Sequence, residues 1–118
     1  MRELKRNDCA VLHLGLKRHW YKMIDSGVKM VEFREAKTYW QTRIANWTRK
    51  MHAGKTPVLE FHEGYGRFAS RMAFIAGRGE GVVFARFAAD DPVQFKELGE
   101  FQKARYALFI GERVWLKN

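Results

Sequence analysis

The spacing of apolar residues changes twice in the first third of the chain, and each change marks an element. Residues 10–16 form a short, nearly unbroken apolar run, the pattern of a buried strand. From Leu16 the spacing becomes helical. Leu16, Trp20, Met23 and Ile24 fall on one face, with Lys17, Arg18, Tyr21, Lys22 and Asp25 facing away. Gly27 supplies the left-handed residue that ends such a helix. Residues 29–34 predict the next strand. Alternation there sets Val31 and Phe33 against Glu32 and Arg34, so the apolar pair is expected inward and the charged pair toward a cleft or solvent.

A second amphipathic helix is predicted over 38–51. Thr38 and Gln41 fit a capping box, Trp40, Ile44, Trp47 and Met51 form the apolar stripe, and Arg43, Asn46, Arg49 and Lys50 lie on or beside the opposite face. After a break at 52–55, strands are predicted at 58–63, 71–76 and 82–87, separated by turns at Gly64-Tyr65-Gly66-Arg67 and at 77–81. Asp90-Asp91-Pro92 starts a short helix bearing Phe95, Leu98 and Phe101. Residues 106–110 and 112–117 read as two closing strands on either side of Gly111. The polar segment 1–9 is expected to be frayed, and 10–118 to form one domain. Regular strand–helix alternation is missing, which argues against a doubly wound sheet. The pattern predicts an α+β fold, a mixed β-barrel of about six strands with two or three helices outside it.

Composition agrees with a packed core: 47% of the 118 residues are apolar, among them nine Phe, four Trp and four Tyr. Charge changes the picture more. Lys+Arg 22 less Asp+Glu 13 gives +9. Ten basic and three acidic residues lie between 17 and 55, net +7, while 1–16 (three and two) and 56–118 (nine and eight) each carry +1. A positive field concentrated in this way attracts a polyanion, and nucleic acid is the commonest one. Cys9 stands alone, so no intramolecular disulfide forms and a reducing, cytoplasmic location is expected. His13, His19, His52 and His62 show no metal-ligand spacing, and neither a metal nor a cofactor is expected. No apolar run approaches the roughly 18 residues of a membrane span, and the charged N-terminus has no signal-peptide core.

One segment carries a resemblance. Gly27, Lys29, Glu32 and Arg34 spell Gly-x-Lys-x-x-Glu-x-Arg after a strand and an amphipathic helix, and this resembles the opening of an ASCH domain. The Gly64-Tyr65-Gly66 turn and the closing segment from Tyr106 to Glu112 are similar to later features of that family, so the likeness spans roughly 11–112. The resemblance implies a PUA-like barrel with a cleft between barrel and helices, where RNA or modified nucleosides bind. A few members are enzymes: one branch hydrolyses acylated cytidine nucleosides, and another is described as a ribonuclease. In the deacylating branch threonines follow the motif lysine, one of them a candidate nucleophile. Here Met30, Val31 and Glu32 follow Lys29, and a carboxylate cannot replace a hydroxyl nucleophile.

Chemically, Lys29 and Arg34 suit phosphate, and Glu32 suits an exocyclic amino group on a base. Lys29 and Glu32 are also the pair that would perform acid–base work if the protein were an enzyme. The bland alternative is an ion pair with no role. Tyr39 and Tyr65 offer stacking faces, Trp40 sits on the apolar stripe, and Arg43, Arg49, Arg67 and Arg71 extend the basic surface. The glycine turn flanked by Arg78 lacks the Lys-Ser/Thr of a P-loop. Three functions remain open: a module binding RNA, single-stranded nucleic acid or a nucleoside-like molecule; a small hydrolase acting on a modified nucleoside or RNA; and a basic protein docking an acidic protein surface. If four to six phosphates of a single strand are bound, log affinity falls with log salt at a slope of roughly −3 to −4, measurable by fluorescence anisotropy. A slope near zero removes the nucleic-acid reading.

Overall fold

A long closing strand organises the molecule because its two halves pair with different partners. The computed structural model describes residues 1–77, 84–87 and 105–118. Arg78, most of the glycine turn after Gly77 and the short helix expected after Asp90 lie outside them. The elements in chain order are β1 (Arg2–Lys5), a 3-10 turn (Arg6–Asp8), β2 (Cys9–Leu16), α1 (Arg18–Asp25), β3 (Val31–Glu35) and α2 (Thr38–His52). They continue with β4 (Thr56–Glu63), β5 (Arg71–Ala76), β6 (Phe84–Phe87) and β7 (Arg105–Lys117). The fold is α+β. Strand order along the main path is β1-β7-β5-β4-β2, and β3 and β6 also pair with β7. The β1–β7 and β2–β4 pairs are parallel and the others antiparallel, so the sheet is mixed. Its path ends open, at β1 on one side and β2 on the other.

Gly111 was expected to split the closing segment in two. Instead β7 runs through it as one strand with a bulge. Phe74 faces Arg113, but Ala76 faces Ile110, so β7 carries one extra residue there. A Cβ on Gly111 would stand 2.4 Å from the Gly77 carbonyl oxygen and 2.6 Å from that of Ile75, so no other residue fits. The bulge switches faces. Tyr106, Leu108 and Ile110 enter the main core with Leu12, Leu14, Leu59, Phe61, Met72 and Phe74, whereas Val114 enters a smaller cluster with Cys9, Val58 and Ala73.

Three local expectations are corrected. The N-terminal segment is not frayed: Arg2–Lys5 pairs with Val114–Lys117, and Leu4 packs on the smaller cluster. In α1 the buried residues are Tyr21 and Ile24, while Trp20 is 43% exposed, so the helix is rotated from the simple apolar stripe. Tyrosine buries as a large ring, which frees Trp20 for the surface beside Lys29. Helix α2 occupies the predicted span, but Thr38 lies inside it. Lys37 is the N-cap and makes no side-chain cap bond, and Gln41 Nε2 donates to the Ala36 carbonyl at 3.0 Å. Among the described residues no helix is long and apolar enough to cross a membrane.

Helix α2 docks through Ile44 and Trp47, both buried, and the Trp47 indole N–H donates to the Ala10 carbonyl of β2 at 2.8 Å. Trp47→Ala therefore removes a buried ring and orphans a buried acceptor. It should destabilise the fold by about 3–5 kcal/mol in urea unfolding. Arg43→Glu and Arg49→Glu, on the exposed face, should each change stability by no more than about 0.5 kcal/mol. The reverse pattern would mean that the helix docks through another face.

Candidate functional site

The motif strand lies the other way round from its hydrophobic pattern. Glu32 faces Leu108 and Arg34 faces Tyr106 across the β3–β7 ladder, and both of those β7 residues belong to the main core. Glu32 is only 4% exposed, while Val31 and Phe33 are half-buried on the opposite side. The inversion corrects the expected facing of β3. It holds because the buried carboxylate is fully partnered. Lys29 Nζ donates to Glu32 Oε1 at 2.6 Å, and the Phe33 backbone N–H reaches the same oxygen at 3.2 Å. Arg34 donates to Glu32 Oε2 at 2.8 Å and to the Gly15 carbonyl of β2 at 3.1 Å.

Local structure delivers these groups. Gly27 adopts φ +82°, which carries the chain out of α1, and the Lys29 N–H then bonds the Met23 carbonyl at 3.0 Å. Two indoles flank the cations: Lys29 Nζ lies 4.6 Å from the Trp20 ring and the Arg34 guanidinium 5.0 Å from the Trp40 ring. Arg34 Nε is buried and has no hydrogen-bond partner among the described residues.

Two cavities open on either side of Arg34. One, of about 1100 Å³, is lined by Trp20, Met23, Val28, Lys29, Met30 and Glu32. The other, of about 810 Å³, is lined by Lys37, Tyr39, Trp40, Arg43, Arg67 and Arg71, with His13 and His62 at its side. Both include Gly15, Arg34 and Tyr65, so an apolar cavity and a basic one adjoin there and together make up a groove. Tyr65 is 89% exposed, and its ring lies across Gly15, where a Cβ would come within 2.3 Å of it. Of the residues singled out from sequence, Lys29, Glu32, Arg34, Tyr39, Arg43, Tyr65, Arg67 and Arg71 line the groove. Arg49 lines neither cavity and bonds Asn46 on the exposed face of α2. Trp40, assigned to the core, is half-buried and forms the wall under Arg34.

Sequence reasoning missed a second cluster. The parallel β2–β4 register sets His13 beside Glu60 and Gly15 beside His62. Glu60 and His62, two apart on β4, share a face with His13. His13 Nδ1 stands 3.0 Å from His62 Nε2 and 3.2 Å from Glu60 Oε1, and His62 Nε2 stands 3.8 Å from that same oxygen. Arg6 closes over Glu60 with two hydrogen bonds, of 3.2 and 2.9 Å, and Arg71 lies 3.9 Å away. Two of the four histidines are therefore gathered rather than scattered. Glu60-x-His62 is a visible strand-spaced pair, but its third member becomes visible only when β2 is known to be the neighbour of β4.

Burial pushes the Glu60 carboxyl upward, but hydrogen bonds and charge from His13 and Arg6 outweigh it and hold it at about 2. For His62, burial and then the charges of Arg71 and His13 push the imidazole below its usual value. Because the folded pKa of Glu60 lies below its ordinary 4.5, its ionised form stabilises the fold fully above that value. The contribution is lost as pH falls toward about 2. The destabilisation caused by Glu60→Gln, measured by urea unfolding, should thus be large near neutrality and shrink steadily below pH ~4.5. An equal cost at neutral and strongly acidic pH would show that the carboxylate is not held by these cations.

Comparison of the chain with protein-family models, curated proteins and solved structures gives no match, so the functional reading rests on this geometry and on the motif.

Proposed function

We propose that the protein binds single-stranded RNA or a nucleotide-like ligand along the joined groove. The observation that carries this reading is the sharing of Arg34 and Tyr65 by an apolar cavity and a basic one. A nucleotide has the same division, a flat base at one end and a charged phosphate at the other. Trp20, Met30 and Tyr65 supply apolar and aromatic surface for the base, and Lys37, Arg43, Arg67 and Arg71 supply cations for phosphate. Glu32, at the floor, sets Lys29 and Arg34 in place.

The motif's resemblance to ASCH domains supports the same reading. It also suggests that the open mixed sheet, with β7 bent across two sets of partners, is the frame of a PUA-like barrel. With one buried free cysteine, the protein suits a reducing compartment such as the cytoplasm. A binding module fits better than a hydrolase because the oxygens of Glu32 already accept bonds from Lys29, Phe33 and Arg34. A general base needs a carboxylate oxygen within reach of water or substrate.

Arg34→Ala should weaken binding of a short RNA or nucleotide about ten- to a hundredfold, the worth of one charge-assisted hydrogen bond, measured by fluorescence anisotropy. Circular dichroism checks that the variant is folded, and Arg34→Lys should recover only part of the affinity because it lacks the planar fork. Glu32→Gln removes the charge that holds Lys29 and Arg34, so it should lower affinity and stability together. If Glu32→Gln instead cuts turnover of a nucleoside or RNA by about 10²–10⁴ with affinity unchanged, the protein is a hydrolase. If Arg34→Ala and Lys29→Ala leave affinity untouched, the motif is structural and this reading fails.

A further inference from the structure

The cluster at His13, Glu60 and His62 has a geometry that hydrogen bonding alone explains poorly. Two imidazole nitrogens and one carboxylate oxygen converge, with edges of 3.0, 3.2 and 3.8 Å. His13 Nδ1 is close to both other atoms, yet one ring nitrogen carries at most one proton and serves one of them well. An ion with ligand bonds of roughly 2.0–2.1 Å in tetrahedral geometry needs ligand atoms about 3.3 Å apart, and the three observed edges bracket that value. Two imidazoles with one carboxylate are a donor set suited to zinc and neighbouring transition metals rather than to magnesium or calcium.

We propose that His13, Glu60 and His62 form a binding site for one divalent transition-metal ion of the zinc or cobalt kind. Two neighbouring strands, β2 at the open end of the sheet and β4 beside it, hold the site through their backbone ladder, which fixes the ligands before the ion arrives. Glu60 and His62 project from β4, and His13 projects from the neighbouring β2. Arg6 acts as the outer partner that orients the carboxylate, as hydrogen-bonded ligands commonly require. Its charge and that of Arg71 weaken cation binding, so the site is a modest one rather than a closed structural centre. His13 and His62 also line the basic cavity, so the ion's remaining coordination position is reached from there by water or by an anionic oxygen. The site does not depend on the nucleotide reading, because its ligands do not include Lys29, Glu32 or Arg34.

The test uses the whole chain and the metal alone. Isothermal titration with Zn(II) should show one equivalent bound, and Co(II) should develop visible absorption bands on binding. His13→Ala and His62→Ala should each weaken binding by about tenfold or more, and the double variant should abolish the bands. His19→Ala with His52→Ala removes the other two histidines and should leave binding unchanged. His13 is partly exposed, so its variant retains the fold even if Glu60→Gln does not. Absence of stoichiometric binding by the natural chain overturns the proposal. So does binding that survives in the His13/His62 double variant or is lost in the His19/His52 one.

Discussion

A buried carboxylate that needs cationic partners among apolar neighbours is the constraint around which the groove is built. Glu32 lies opposite Leu108, inside the main core, where an unpartnered charge would cost several kcal/mol. Two cations and one backbone N–H meet it, and each comes from a position fixed by another element. Lys29 follows the left-handed turn at Gly27, which α1 requires in order to end. Arg34 reaches across to the Gly15 carbonyl, so β3 and β2 are tied through one guanidinium although they share no ladder. Trp20 and Trp40, from the two helices, close over the cations. Removing the carboxylate would leave Lys29 and Arg34 facing one another with no counter-charge, and so the helices, the motif strand and Gly15 are coupled at this point.

The same network shows why charge along the chain is an incomplete guide to charge presented to a partner. The segment 17–55 carries most of the positive excess, but Lys29 and Arg34 are spent on Glu32, and Arg18 lies 3.6 Å from Glu63. Lys37, Arg43 and Arg67 have no carboxylate within ion-pair distance among the described residues, and all three line the basic cavity. Arg43 is further held over the Tyr39 ring at 4.4 Å, one helical turn away. The field of the groove thus comes from a smaller set of cations than the sequence total suggests, gathered on one side of Arg34.

Elements with strong periodicity were legible in the sequence. Helix α2, β5 and the Gly27 stop stand where the pattern placed them, because a long apolar stripe and a left-handed glycine have few alternatives. What the sequence hid was pairing. The facing of β3 was read from transfer preferences, under which Val31 and Phe33 outrank Glu32 and Arg34, and it inverts once the charges satisfy one another. The charged N-terminus reads as loose until β7 offers it an edge, and Tyr21 reads as polar until its ring is packed. Most of the groove residues were nameable because they carry charge or an aromatic ring near the motif. His13 and His62 were not, since 49 residues separate them and only the parallel register of β2 and β4 unites them.

Gly15 brings these strands of reasoning together. It sits on β2 directly beside His62 of β4, offers its carbonyl to Arg34, and has no side chain where the Tyr65 ring lies. Its φ is not in the left-handed region, so backbone freedom does not explain the glycine; space does. Any side chain there would push Tyr65 aside, and Tyr65 is the aromatic residue common to both halves of the groove. One missing Cβ therefore lets the Tyr65 ring lie where it borders both cavities, beside a cation that is itself anchored to the buried carboxylate. The meeting of the two cavities follows from packing at Gly15, whereas their chemical difference follows from the charges that line each of them.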